Sequence, residues 1–476
     1  MTFTLTDLFC GAGGSSTGAI MIPGVQVRMA ANHWPLAIET HNTNHPDADH
    51  LCADLSQISP RLFPRTTMGW FSPECTNHTI AKGRKRADAQ PDLFGEILPD
   101  EAAERSRATM WDVVRFTEYH RYELVFVENV VDAYHWHPFR AWLLAMESLG
   151  YEHHIVFVNS MHAQLFGAGA PQSRDRMYVV FWRTGNRRPD FDRLVRPAAV
   201  CPTCGPVRAM QSWKRPDRPA WGRYRAQYVY RCPNVTCRNT IVEPAFRPAA
   251  DIIDWDLLGQ RIGDRAKPLA EKTMARIEAG IERYWAPLVV PVEGRDGKQA
   301  ATVDQPIRTM TARAETALAF MAELRGGGSK HRPVSDPLAT VTASGNHHGL
   351  VTTFYGRGVG AKPTGEPLAT VTTTERHALL MQNNHQNRAR PVSEPTPTVT
   401  TATTQAVLDS PRPTVDVNDV LFRMLEPRET KRAMDFPAEY VMRGNRREQS
   451  RLAGNAVCPP NARDLVGVGV ESLTAS

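Results

Sequence analysis

Long apolar runs are the most telling absence from this sequence of 476 residues. No stretch approaches the roughly 20 residues that cross a bilayer, so no membrane partner is expected. The first residues carry Asp7 and a glycine cluster in place of a basic region and an apolar core. A secretory leader is therefore not expected, and the expected location is the cytoplasm. Cysteine is scarce too: eight over this length cannot form the dense framework of a small secreted domain. Strong charge of one sign is also missing. A net charge of +6 permits an anionic partner without demanding one. With 42% hydrophobic residues the chain can bury a large core, and its length suggests more than one domain.

What is present begins with a β-prone alternation from Thr2 to Phe9, followed by Cys10-Gly11-Ala12-Gly13-Gly14-Ser15-Ser16-Thr17-Gly18 and a helix start. A strand, a glycine turn and a helix describe the first crossover of a doubly wound sheet, where the backbone can approach a ligand at a helix N-terminus. Apolar strands follow at Val25 to Ala31, Met68 to Phe71, Leu124 to Val127, Ile155 to Val158 and Met177 to Trp182. Helical stretches separate them, at Trp34 to Asn44, Ala102 to Tyr119 and Pro138 to Leu149. This reads as an α/β sheet whose ligands lie at the carboxyl ends of its strands. The candidate groups sit at such ends: Gly11, Asn32 to Trp34, Asp54, Cys75 and Glu128-Asn129.

Cys75 ends an apolar run, beside Pro73 and Glu74. A free cysteine is commonly just a small buried residue. As a covalent nucleophile it must be a thiolate, which needs cationic or dipolar neighbours from elsewhere in the fold. Arg174 and Arg176 are candidates, because alternation along a strand start puts both on one side. Glu128, at the mouth of a buried strand, is a candidate proton carrier.

Together the residues are familiar. Asp7-Leu8-Phe9-Cys10-Gly11-Ala12-Gly13-Gly14, Pro73-Glu74-Cys75, Glu128-Asn129-Val130, Gln172-Ser173-Arg174-Asp175-Arg176 and Gly454-Asn455-Ala456-Val457 resemble the ordered motifs of the DNA (cytosine-5) methyltransferases. The resemblance covers about 1 to 182 and 418 to 470, and Ser72-Pro73-Glu74-Cys75 in place of Pro-Pro-Cys points to a divergent branch. It implies a Rossmann-like, S-adenosylmethionine-dependent methyltransferase sheet, discontinuous in sequence. It also implies that Cys75 adds to carbon 6 of a flipped cytosine in double-stranded DNA and that carbon 5 takes the methyl group. Glu128 would serve ring nitrogen 3, with Arg176 and Arg174 on the ring oxygen. Phe9, Gly11, Gly13, Gly14, His33, Trp34, Asp54, Leu55, Pro73, Asn455 and Val457 would line the cofactor site. His33 stands where the family has an acid for the ribose hydroxyls, which opens the question of an altered cofactor. A monomer, with a cognate restriction endonuclease as a partner, completes the expectation. A tRNA substrate and a catalytically impaired DNA-binding scaffold are the alternatives.

Between the two matching stretches, Cys201-Pro202-Thr203-Cys204 and Cys232-Pro233-Asn234-Val235-Thr236-Cys237 have the spacing of a zinc ribbon with a structural ion. Farther on, Asp304-Gln305-Pro306-Ile307 begins a unit that returns at Asp336, Glu366 and Glu394. Such units bury their apolar side only by stacking. The expected layout is a first catalytic part over 1–184 and a mostly-β target-recognition region over 185–417. That region would hold the ribbon at about 199–240, a connecting helix at about 266–285 and four repeats at about 300–408. A closing catalytic part would span 418–476.

Overall fold

The computed structural model describes residues 2–73, 101–257, 259–284, 288–291, 298–309, 316–320, 379–382, 390–391, 405–408 and 416–474. The chain falls into two compact units, one of 1–258, 270–318 and 423–476, the other of 259–269 and 319–422. Position 185, where the composition changes, lies within the first of the three segments of the first unit. Among the described residues no helix is long and apolar enough to cross a membrane.

The first unit is built on an α/β sheet. Its elements in chain order are β1 (Phe3–Leu8), α1 (Gly14–Ile20), β2 (Val25–Asn32), α2 (Pro35–Asn44), β3 (Asp49–Cys52) and β4 (Met68–Phe71). Next come α3 (Glu101–His120), β5 (Leu124–Asn129), α4 (Phe139–Ser148), β6 (Tyr151–Asn159), β7 (Gln172–Ser173) and β8 (Asp175–Arg183). Seven strands join in the order β3-β2-β1-β4-β5-β8-β6. β1 to β5 run parallel, while β8 lies antiparallel between β5 and β6. Strand order therefore reverses at β1 and β4, and the crevice at their carboxyl ends is where such sheets take ligands.

Both faces of the sheet are covered, which is why its central strands read as unbroken apolar runs. Along β5, Leu124 and Phe126 enter one core with Trp70, Tyr178 and Val466, while Val125 and Val127 enter the other with Phe71, Phe116, Trp142 and Phe181. Trp70 and Phe126 stack at 5.5 Å. β3 has no such pattern; it is an edge strand with His50 and Leu51 half-buried, so no apolar signal marks it.

After α5 (Phe191–Leu194) come two antiparallel pairs, β9 (Ala198–Cys201) with β10 (Gly205–Arg208) and β11 (Met210–Trp213) with β12 (Tyr228–Arg231). Their small core of Tyr224, Tyr228, Tyr230 and Val242 includes Met161, which follows β6. The connecting helix expected over 266–285 forms as α6 (Glu271–Tyr284). The chain then returns through α7 (Pro427–Ala433), α8 (Arg446–Asn455) and α9 (Pro459–Thr474). α9 packs on α1 so closely that a Cβ on Gly18 would meet the Pro459 carbonyl oxygen at 2.2 Å. In the second unit, Leu379–Gln382 pairs antiparallel with Arg390–Pro391 and Gln405–Leu408. Most of the expected repeats lie outside the described residues.

Candidate active site

At the end of β1 the backbone turns sharply, with positive φ at Phe9, Gly11 and Gly13. Gly13, at φ 84°, is the N-cap of α1, a position where a side chain would be strained. Gly14 is held by space instead: a Cβ there would lie 1.9 Å from the Val457 carbonyl oxygen. The glycine turn and the last motif are thus one packed object. Beneath them Asp7 is fully buried and accepts hydrogen bonds from the Ser15 and Ser16 hydroxyls, both at 2.6 Å. Burial raises its carboxyl to about 6, against the lowering effect of those hydroxyls.

Sequence reasoning gave no sign of the cluster behind this turn. His41 meets Ser16 Oγ at 2.9 Å and His50 at 2.8 Å, while His45 meets Thr17 Oγ1 at 3.0 Å. Desolvation, with His50 nearby, lowers His45 to about 4. The three histidines are scattered polar residues in the sequence, and only the contacts of α2 and its C-cap with α1 on one side and β3 on the other unite them.

After β2, the Asn32 side chain accepts the Trp34 backbone N–H at 2.9 Å, and Arg451 lies over the Trp34 ring at 4.5 Å. Trp34 is half-buried, whereas His33 is exposed. Asp54 uses one carboxylate oxygen to cap the short turn Leu55–Gln57, taking the Ser56 N–H at 3.0 Å and hydroxyl at 2.8 Å. Leu55 is buried. β4 ends at Phe71, and the Ser72 N–H donates to the Leu8 carbonyl at 3.1 Å, so buried Pro73 leaves the sheet next to the glycine turn. Cys75 follows two residues later and lies outside the described residues.

Beside that exit, Glu128 is the next-to-last residue of β5 and its Oε1 meets Arg176 Nε at 2.7 Å, each side chain 12% exposed. Strand register brings them together: Glu128 faces Tyr178 across the β5 and β8 ladder, two residues from Arg176. Arg174 is 2% exposed. Its Nη1 donates to the Gly454 carbonyl at 3.0 Å and its Nη2 to that of Ala456 at 3.1 Å. It brackets exposed Asn455 from both sides, a use the sequence reading did not assign when it put both arginines on one ring oxygen. Burial, and Arg176 nearby, lower its guanidinium to about 10, so it stays charged at neutral pH.

The closing segment also grips the connection between β6 and β7. Asp464 accepts the Leu165 and Phe166 N–H groups at 2.8 and 3.1 Å, and Arg463 donates to Ala168 and Ala163 carbonyls at 3.1 and 2.9 Å. Glu429, fully buried, forms a two-pronged pair with Arg423 at 2.7 Å per arm and accepts the Asp254 N–H at 2.8 Å.

The sulfur atoms of Cys201, Cys204, Cys232 and Cys237 all lie within 4.8 Å of one another. Tetrahedral zinc thiolate geometry has edges of about 3.8 Å, so these four donors fit one zinc ion with small adjustments.

No curated protein matches the chain in sequence. Among solved structures, the S. pombe Dnmt2 methyltransferase is similar at a TM-score of 0.49 and 12% identity, covering 100% of both chains. The Entamoeba histolytica methyltransferase EhMeth is similar at a TM-score of 0.47 and 10% identity, covering 99% of this chain and 98% of its own. The model of the C-5 cytosine-specific DNA methylases matches residues 3–197 and 334–468, well over half of the sequence. Its first span takes in the glycine turn, the β4 exit, Glu128 and the arginine pair, and its second takes in the turn that Arg174 brackets, so the chain belongs to the C-5 cytosine-specific DNA methylase family.

Proposed function

We propose that the chain methylates carbon 5 of a cytosine flipped out of duplex DNA, with S-adenosylmethionine as donor. The observation that carries this reading is the 2.7 Å pair of Glu128 and Arg176 beside the β4 exit that leads to Cys75. Side by side they offer an acceptor and a donor. That is the complement of a cytosine edge with a protonated ring nitrogen 3 next to the ring oxygen.

The sulfur of Cys75 forms a bond to carbon 6, and the displaced π electrons pass through carbon 4 to nitrogen 3, where Glu128 holds the incoming proton. Arg176 donates to the ring oxygen and offsets the charge gathered there. When bound, S-adenosylmethionine supplies an electrophilic methyl group next to carbon 5. Carbon 5 would form the new bond as the methyl group's bond to the donor sulfur breaks and leaves that sulfur a neutral thioether. Carbon 5 then loses its proton to a base, the bond from carbon 6 to Cys75 breaks as the ring double bond returns, and nitrogen 3 gives its proton back to Glu128. The base must leave the stack for any of this to occur.

The cradle for the cofactor is the turn of Phe9, Gly11, Gly13 and Gly14. The space a Cβ would fill at Gly11 is open. The Trp34 ring would meet the adenine, with Asp54, Leu55 and His33 along its edge and Pro73 below. Asn455 and Val457 close the methionine end. Arg174 is a positioning residue that keeps Asn455 in place. The four thiolates would hold a structural zinc ion with no open position for water.

The test uses duplex DNA carrying 5-fluorocytosine and labelled S-adenosylmethionine. Fluorine cannot leave as a proton does, so the expected result is a stable adduct that vanishes in Cys75→Ser. Absence of label on DNA, or label on tRNA in preference to DNA, defeats the reading.

A further inference from the structure

We propose that the ribbon's loop from Lys214 to Arg225 grips the phosphate backbone of duplex DNA beside the Glu128 and Arg176 pair. This rests on the substrate reading above and adds the surface that holds the substrate.

Charge is the first argument. Between Ala199 and Arg247 there are nine lysines and arginines and two acids, Asp217 and Glu243, a formal +7. The whole chain carries +6, so everything outside the ribbon sums to about −1. Four thiolates around a divalent ion would still leave the ribbon at about +5. The protein's excess positive charge is therefore a local property of this one module, whereas scattered surface cations would be shared by all regions.

Position is the second. Lys214, Arg215, Arg218 and Arg225 are exposed, and Pro216 and Pro219 restrict the backbone between them. Both roots of the loop are fixed to the edge of the active site. On the near side, Gln211 donates to the Phe157 carbonyl at 2.9 Å, and Trp213 packs on Phe157 at 5.8 Å. On the far side, Trp221 donates to the Val131 carbonyl at 3.0 Å and its ring lies tilted against His135 at 4.4 Å, while Arg223 pairs with Asp132 at 2.7 Å. The Tyr224 N–H donates to Asp175 at 2.9 Å. The anchors are thus the residue next to Arg176 and the segment beginning three residues after Glu128.

Competing contacts do not disable it. Arg215 pairs with Asp217 at 2.9 Å, Arg225 with Glu243 at 3.0 Å, and the Lys214 ammonium donates to the Arg225 carbonyl at 2.7 Å, but all three contacts are exposed. Exposed pairs are worth about 1 kcal/mol or less, and a phosphodiester can replace the carboxylate. A flipped cytosine needs its flanking backbone held in register, and phosphate contacts are what position a duplex on a protein.

The experiment measures binding of a short cytosine-containing duplex across a salt series, without methyl transfer, for the wild type and for Lys214→Ala/Arg215→Ala/Arg218→Ala. Each lost phosphate contact should lower the slope of log affinity against log salt by about 0.9. The triple variant should therefore show a slope smaller by about 2.7 and, with the two lines meeting near 1 M salt, an affinity on the order of 100-fold weaker near 0.15 M salt. S-adenosylmethionine affinity and zinc content should match the wild type. The charge-keeping Lys214→Arg/Arg215→Lys/Arg218→Lys should bind within about threefold of it. If the triple variant does not fold, Lys214→Gln/Arg218→Gln, which keeps the Arg215 and Asp217 pair, should lower the slope by about 1.8. An unchanged slope overturns the proposal, as does equal loss in the charge-keeping variant or a slope change seen with tRNA alone. A wild type that binds DNA through this loop yet transfers no methyl group defeats the function proposed above and leaves this surface standing.

Discussion

The sheet and the cysteine ribbon reach order by different routes. In the sheet, strand register sets the positions: buried Trp70, Phe126, Val125 and Val127 lock β4 and β5 from both faces, so Glu128 and Arg176 meet by ladder geometry alone. Each such side chain contributes on the order of 2 kcal/mol of burial. The ribbon has a core of a few tyrosines and small residues, too little for a module of this size. It relies on four sulfur atoms around one point and on anchors to its larger neighbour. A region with many apolar contacts can place catalytic groups by itself, whereas one with few must be fastened, and the fastenings decide where its surface faces.

The largest expected effect comes from removing the zinc ion proposed at the four sulfur atoms. Structural zinc sites of this kind contribute on the order of 10 kcal/mol to the folding of small modules. A strong chelator, or Cys232→Ser with Cys237→Ser, should release one zinc per chain and open the ribbon to proteolysis between Ala198 and Arg247, with the cleavage of the sheet unchanged. If the sheet is cut at the same rate as the ribbon, the two regions are not independent and the comparison breaks.

The converse perturbation is Gly14→Ala. Its Cβ would lie 1.9 Å from the Val457 carbonyl oxygen, backbone that cannot yield cheaply. A loss of about 3 kcal/mol in chemical denaturation is expected, with zinc content unchanged. A loss under about 0.5 kcal/mol would show that the glycine turn and the last motif are not packed as described.

Next come the two arginines. Arg176→Ala should lower kcat about 100-fold with little change in S-adenosylmethionine affinity, because it removes charge stabilisation at the reacting ring. Arg174→Ala should instead weaken S-adenosylmethionine binding about tenfold, because the carbonyls that flank Asn455 lose their donor. Equal effects of both variants on both constants would erase the distinction between them.

The smallest effect is a slope. Asp7 has a folded value of about 6, above its ordinary 3.8. The stability it contributes is complete below about 3.8 and is lost as pH rises through about 6. His45 has a folded value of about 4, below its ordinary 6.5. Its contribution is present above about 6.5 and is lost as pH falls through about 4. Between pH 4 and 6 the two oppose each other, inside one cluster with His41, His50 and Tyr440. Asp7→Asn should therefore make stability rise more steeply with pH there, by up to about 1.4 kcal/mol per unit, and His45→Gln should make it rise less. Parallel curves for wild type and variants would remove both assignments.

Much of the catalytic face is legible in the sequence because its groups sit at strand ends, where apolar runs stop. Glu128 after Val125-Phe126-Val127 and the glycines after Thr4 to Leu8 are signalled by their neighbours. Arg174 and Arg176 are equivalent by alternation, yet one meets Glu128 and the other two carbonyls about 280 residues away. Nothing in local spacing separates them. The histidine cluster, the grip of Arg463 and Asp464 on the segment 163–168, and the Trp221 and Arg223 anchors have no local signal either. Their partners are distant backbone atoms, and a backbone carbonyl looks alike at every residue.

By itself the sequence determined the alternation of strand and helix, the cysteine spacing and the order of the motifs, because each depends on periods and short intervals along one chain. Tertiary structure decided which arginine faces the carboxylate, that the glycine turn is closed by Val457, and that the basic loop is fastened beside Arg176. Those outcomes depend on which surfaces meet, and contacts between residues hundreds of positions apart exist only once the sheet has assembled.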